Sequence, residues 1–190
     1  EYDNVGNRYR VHTFDSPQRS SERVRIVHFH DKRQMFSASE HVVHMYLMYN
    51  RCSVETFVRV PNTIRALCSS TSQRMLFVAT DVAIQRVAVQ DMKSITLLED
   101  VIITQNQSVT SMVMVNDHVL AYGDKLGYIH LYDTIKSVHI QSIQLLHDNC
   151  SIRSLHRQGD TIWSSNESGD TIYACHLNTD NRVMMIDRIL

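Results

Sequence analysis

The chain has 190 residues, 43% of them apolar, which is enough to bury the core of an ordinary domain. Its 19 basic and 20 acidic side chains nearly cancel and no long run of one sign occurs, so non-specific attraction to nucleic acid has no electrostatic source and no nucleic-acid partner is expected. The longest apolar runs are only a few residues, against the roughly 20 that a membrane-spanning helix needs, and no membrane insertion is expected.

Residues 1–23 read as a terminal strand and a polar linker. Positions 8–14 alternate apolar and polar, and positions 16–22 are polar and contain Pro17. The chain opens on Glu1 rather than Met, so it is expected to be a piece of a longer protein. From Val24 onward, four units follow at a spacing of roughly 40 to 45 residues. The first opens with the strand Val24-Arg25-Ile26-Val27, continues with strands at 35–39 and 42–47, and closes with one near 54–60. The second opens with Ile64-Arg65-Ala66-Leu67, followed by strands at 75–80, 82–89 and 94–98. The third opens with Val109-Thr110-Ser111-Met112, followed by 119–123, 128–132 and 138–145. The fourth opens with Ile152-Arg153-Ser154-Leu155, followed by 161–165, 171–177 and 182–189. β-Branched and aromatic residues dominate these runs and turn residues interrupt them, which disfavours helix. Alternation along each opening strand sends one side to a core and the other to a neighbouring layer.

The third unit carries the most specific pattern: the small-residue strand Val119-Leu120-Ala121-Tyr122-Gly123, a turn through Asp124, Lys125 and Gly127, and a strand ending in Tyr132-Asp133. This is similar to the WD40 repeat, with Tyr-Asp standing where that family has Trp-Asp. The fourth unit resembles it more loosely through Ile162-Trp163-Ser164-Ser165 and the turn glycine Gly169, and Leu146-His147-Asp148-Asn149 resembles the segment that carries Gly-His. The first two units have no turn glycine, and the chain has five glycines in all. The resemblance implies an all-β fold, a β-propeller of about four four-stranded antiparallel blades at 24–60, 61–100, 105–146 and 147–190. It implies either an open fragment of a larger ring or a propeller completed by further residues.

Residues with chemical potential have structural explanations in this frame. Cys52, Cys68, Cys150 and Cys175 follow no metal or disulfide spacing and read as reduced, mostly buried thiols. His28 and His30 share one side of a strand, a spacing that metal sites use, but no third ligand completes a site, so no metal and no cofactor are expected. There is no Gly-x-Ser-x-Gly elbow and no phosphate loop, and the Gly123 to Gly127 stretch reads as a hairpin turn, so no catalytic residue is assigned and the protein is expected not to be an enzyme.

The expected function is a protein–protein interaction scaffold within a larger, cytoplasmic, multidomain protein. Its WD40-like strand order would place Arg65, Arg153, Gln105, Asn106, His147, Asp148, Asp124, Lys125 and Glu167 on one rim as partner-binding residues, beside Asn62, Glu40, His41 and Asp81. Arg65 and Arg153 occupy matching places in their units and suit acidic partner groups, unless they pair with a neighbouring blade. Two alternatives remain open: a coat-type propeller packed on other domains of its own chain, and a propeller enzyme with a histidine metal site.

Overall fold

In the computed structural model, which describes residues 23–48, 53–90, 94–103, 108–145, 150–178 and 182–189, every regular element is a β-strand. Four antiparallel sheets follow one another along the chain. The first contains β1 (Ile26–Phe29), β2 (Gln34–Ala38), β3 (Val42–Leu47) and β4 (Ser53–Arg59), and the second β5 (Ile64–Ser70), β6 (Met75–Thr80), β7 (Ala83–Gln90) and β8 (Ser94–Ile103). The third contains β9 (Val109–Met114), β10 (Val119–Asp124), β11 (Tyr128–Asp133) and β12 (Val138–Gln144), and the fourth β13 (Ile152–Gln158), β14 (Thr161–Asn166), β15 (Ile172–Leu177) and β16 (Val183–Arg188). Each sheet pairs its strands in chain order. The opening strands touch those of the next sheet, β1 with β5, β5 with β9 and β9 with β13, so they lie innermost and the sheets stand as the blades of a β-propeller. Most strand ends shift from expectation by one to three residues. β1 starts at Ile26 rather than Val24, although the Arg25 N–H still donates to the Ala38 carbonyl at 2.8 Å, and β8 runs past residue 100 to Ile103.

The period-2 alternation explains how the blades pack. A blade is a sheet with two apolar faces, and neither can be buried by the blade itself. Phe36, Ala38, Val43 and Met45 of the first blade pack on Leu76, Val78 and Val87 of the second. On the opposite face of the second blade, Phe77, Ala79 and Ile84 pack on Leu120 and Tyr122 of the third. Ala121, Ile129 and Leu131 of the third pack in turn on Ile152, Ile162 and Cys175 of the fourth. Each blade thus presents a forward face to its successor and a back face to its predecessor, and adjacent residues of one strand serve different interfaces.

The last residue of the second strand, or the one just after it, is short, polar and buried in every blade: Ser39, Thr80, Asp124 and Asn166. Its side chain closes the turn to the third strand. Thr80 Oγ1 accepts from the Ala83 N–H at 3.1 Å, Asp124 Oδ1 from Leu126 and Tyr128 at 2.8 and 2.9 Å, and Asn166 Oδ1 from Gly169 at 3.0 Å. The glycine difference between the units follows from loop length. The longer turns after Asp124 and Asn166 contain Gly127 and Gly169 at φ 83° and 76°, whereas the two-residue turns Glu40-His41 and Asp81-Val82 contain no positive φ and need no glycine.

Candidate functional site

Arg65 and Arg153 are the second residues of β5 and β13, while Lys125 and Glu167 each follow a buried turn cap. Inner strands and second-to-third-strand turns end on the same rim, so these four side chains come together across three blades. Arg65, Lys125 and Glu167 line a concavity of about 390 Å³ with Thr110 and Ser151, and Arg153 lines an adjoining one of about 490 Å³ that shares Thr110, Ser151 and Glu167. All four charged residues are exposed. None of their side chains makes a hydrogen bond or ion pair among the described residues, so Arg65 and Arg153 do not pair with a neighbouring blade there. The first blade differs: Arg25, at the matching place, lies 3.9 Å from Glu40. Three cations face one acid around these two adjoining concavities. The Ser108 hydroxyl, in the lining of the first, is buried and has no hydrogen-bond partner among the described residues.

Asp124 corrects the expectation that placed it with Lys125 as a contact residue. It is 0% exposed, and both its oxygens are engaged inside the blade. Oδ1 holds the two turn amides, and Oδ2 lies 2.9 Å from His130 Nε2. His130 Nδ1 lies 2.7 Å from Ser142 Oγ, which is also 2.7 Å from His139 Nε2. Every group is satisfied if His139 donates to Ser142, Ser142 to His130 and His130 to Asp124, a chain that ties β10, β11 and β12 together. Gln105, Asn106, His147 and Asp148 lie outside the described residues. Near Glu167, Asp170 accepts from the Ser168 hydroxyl, the Asn166 amide and the Thr171 hydroxyl, which hold its pKa down at about 2 and keep it ionised on this rim.

The sheet arrangement is similar to that in the crystal structure of Chaetomium thermophilum Raptor, with a TM-score of 0.72 over 91% of this chain at 14% identity. The likeness is one of fold. This chain spans 17% of that protein's length, and no protein-family profile and no curated protein matches the sequence.

In this propeller, the two histidines considered for a metal have different partners. His28 Nε2 lies 2.8 Å from Ser69 Oγ on the next blade, and His30 sits beyond β1 with its ring edge-on to Phe36. No group of three metal-binding side chains converges among the described residues. Burial lowers the pKa of His28, with His30 adding to the effect, and burial likewise lowers that of His30 despite the nearby Asp31. Both therefore take up protons less readily in the fold than in the unfolded chain, which titrates near 6.5. The unfolded state then binds more protons than the native one, so stability falls as pH drops through about 6.5. Thermal unfolding is expected at a lower midpoint at pH 5.5 than at pH 7.5, with His28→Gln, which keeps a partner for Ser69, narrowing the gap. An unchanged gap in the variant would remove His28 from this account.

Proposed function

We propose that this chain is a divergent WD40-like segment of a larger cytoplasmic protein, and that it is a non-catalytic platform holding protein partners on the rim carrying Arg65, Lys125 and Arg153. One observation carries the reading: three exposed cations from three different blades stand around two adjoining concavities that share Thr110, Ser151 and Glu167, without a partner among the described residues. A guanidinium that pairs within its own fold is already committed, as Arg25 is with Glu40. An unpaired one held at a fixed spacing by rigid sheets is free to take a carboxylate in bidentate fashion, and the ordering cost has already been met by the fold. The hydroxyls of Ser151 and Ser108 suit the same oxygen-rich ligand, whereas that of Thr110 already donates to the Gly123 carbonyl at 3.1 Å. Acidic segments of partner proteins are the groups this chemistry accepts.

The chain's net charge of −1 makes the test discriminating, because an acidic peptide gains nothing from its bulk charge. A fluorescent peptide rich in Asp and Glu is expected to bind, to weaken with added salt, and to lose about tenfold or more in affinity in the Arg65→Glu, Arg153→Glu double variant. Thermal stability should move little, since exposed positions rarely shift it by more than about 0.5 kcal/mol. Equal affinity in the double variant, or equal binding of a neutral peptide of the same length, would overturn the proposal.

A further inference from the structure

Glu167 stands where the two rim concavities meet. It lines both, whereas Arg65 and Lys125 line only the first and Arg153 only the second. The positive charge of this rim is therefore split into two pockets, with one carboxylate on the wall between them. Its backbone is fixed there: the Glu167 N–H donates to the Ser151 carbonyl at 2.9 Å, tying the turn between β14 and β15 to the residue that precedes β13. Ser151 lines both concavities as well. The first blade has an arginine and a glutamate at the places of Arg153 and Glu167, namely Arg25 and Glu40, and there the two approach to 3.9 Å. In the fourth blade they line one concavity and do not pair, and no cation among the described residues reaches Glu167 within ion-pair distance. In the third blade the residue after the turn cap is Lys125, so the sign of the charge reverses from one turn to the next along this rim.

Resting on the acidic-partner reading above, we infer that the rim selects an order of charges: an extended segment with an acidic group towards each end and a basic or neutral middle. Glu167 is the residue that rejects an acidic middle. An acid in the first concavity meets Arg65 and Lys125, and one in the second meets Arg153, but an acid between them meets a carboxylate. A lysine at that point gains a partner instead. Selectivity of this kind comes from the repelling group as much as from the attracting ones. Exposed charges are screened by water and salt, so the contrast is modest in size but specific in sign. The spacing follows from the blades. β5 and β13 lie on either side of β9, and packed sheets stand roughly 10 Å apart, closer at their innermost strands, so about five residues of extended chain at roughly 3.3 Å each cross from Arg65 to Arg153. A uniform run of acids long enough to reach both arginines must lay one of them on Glu167.

Three fluorescent peptides of one length test this. Each has glutamates at both ends and a flexible glycine- and serine-rich middle of about five residues, with serine, lysine or glutamate at its central position. The lysine-centred peptide is expected to bind this chain about threefold or more tighter than the glutamate-centred one, with the serine-centred one between them. Glu167→Gln keeps the side chain's length and the backbone bond to Ser151, and should remove that ranking: the glutamate-centred peptide gains affinity and the lysine-centred one loses it. A gain shared equally by all three peptides would be an effect of net charge alone and overturns the inference. So does equal or tighter binding of the glutamate-centred peptide by the unsubstituted chain, a result that leaves the acidic-partner reading in place. Absence of binding by all three, and by a uniformly acidic peptide, overturns that reading along with the inference.

Discussion

Gly123→Ala is expected to destabilise the protein by about 1–3 kcal/mol, and Gly123→Val by more, although glycine is the weaker strand former. The cause is close approach rather than backbone angle. A Cβ at position 123 would stand 2.6 Å from Ile152 Cγ2, 2.7 Å from Ile152 Cβ and 3.0 Å from Ser111 Oγ. Ile152 is fully buried at the start of β13 and branched at the contact, so it cannot swing away. The inner strand of the fourth blade must therefore retreat from the third. Ile152→Ala alone removes a buried branched side chain and is expected to cost about 2–5 kcal/mol. Combined with Gly123→Ala, the loss should be smaller than the sum by about 1 kcal/mol, because the nearer of the two Ile152 atoms in the way, the Cγ2 methyl, is deleted and the strand, no longer held by the rest of the side chain, can move its Cβ aside. Urea unfolding of the four proteins measures this cycle. Strict additivity would show that the two residues do not meet as described.

Asp124→Ala is expected to cost about 3 kcal/mol, far more than Lys125→Ala next to it. The alanine leaves the part-buried Leu126 and Tyr128 N–H groups and the buried His130 imidazole without their acceptor, and each unmade buried bond carries about 1–3 kcal/mol. Asp124→Asn should be milder, about 1 kcal/mol, since its carbonyl oxygen can still hold the turn amides as Asn166 does in the fourth blade. What it loses is the acceptor for His130. The comparison is read from the denaturant midpoints of the three variants at constant slope. If Asp124→Ala costs no more than Lys125→Ala, the cap is not holding the turn.

Much of the fold was legible because blades are locally coded. The unbroken apolar run at Leu76, Phe77 and Val78 announces a strand with two buried faces, and the recurrence of such strands announces several sheets that must cover one another. The site was legible in part. The matching places of Arg65 and Arg153 in two units were enough to group them on one rim with Lys125 and Glu167, since repeats put equivalent residues at equivalent heights. Ser108 and Ser151 were missed because a hydroxyl next to an inner strand carries no pattern of its own. The chain from Asp124 through His130 and Ser142 to His139 was missed because it depends on pairing register: His130 faces Tyr122 on one side and Ser142 on the other, and no spacing along the sequence encodes that.

The sequence by itself determined that this chain is built of strands, that they come in fours, and that both sides of each sheet are apolar, because period-2 burial and turn chemistry act over a few neighbouring residues. Only the tertiary structure decided that Asp124 is sealed in while Lys125 beside it is open, that Gly123 makes room for Ile152, and that Trp163 is left partly exposed. Those outcomes depend on how sheets whose residues lie tens of positions apart close on one another, and a single side chain does not record which neighbour it will meet.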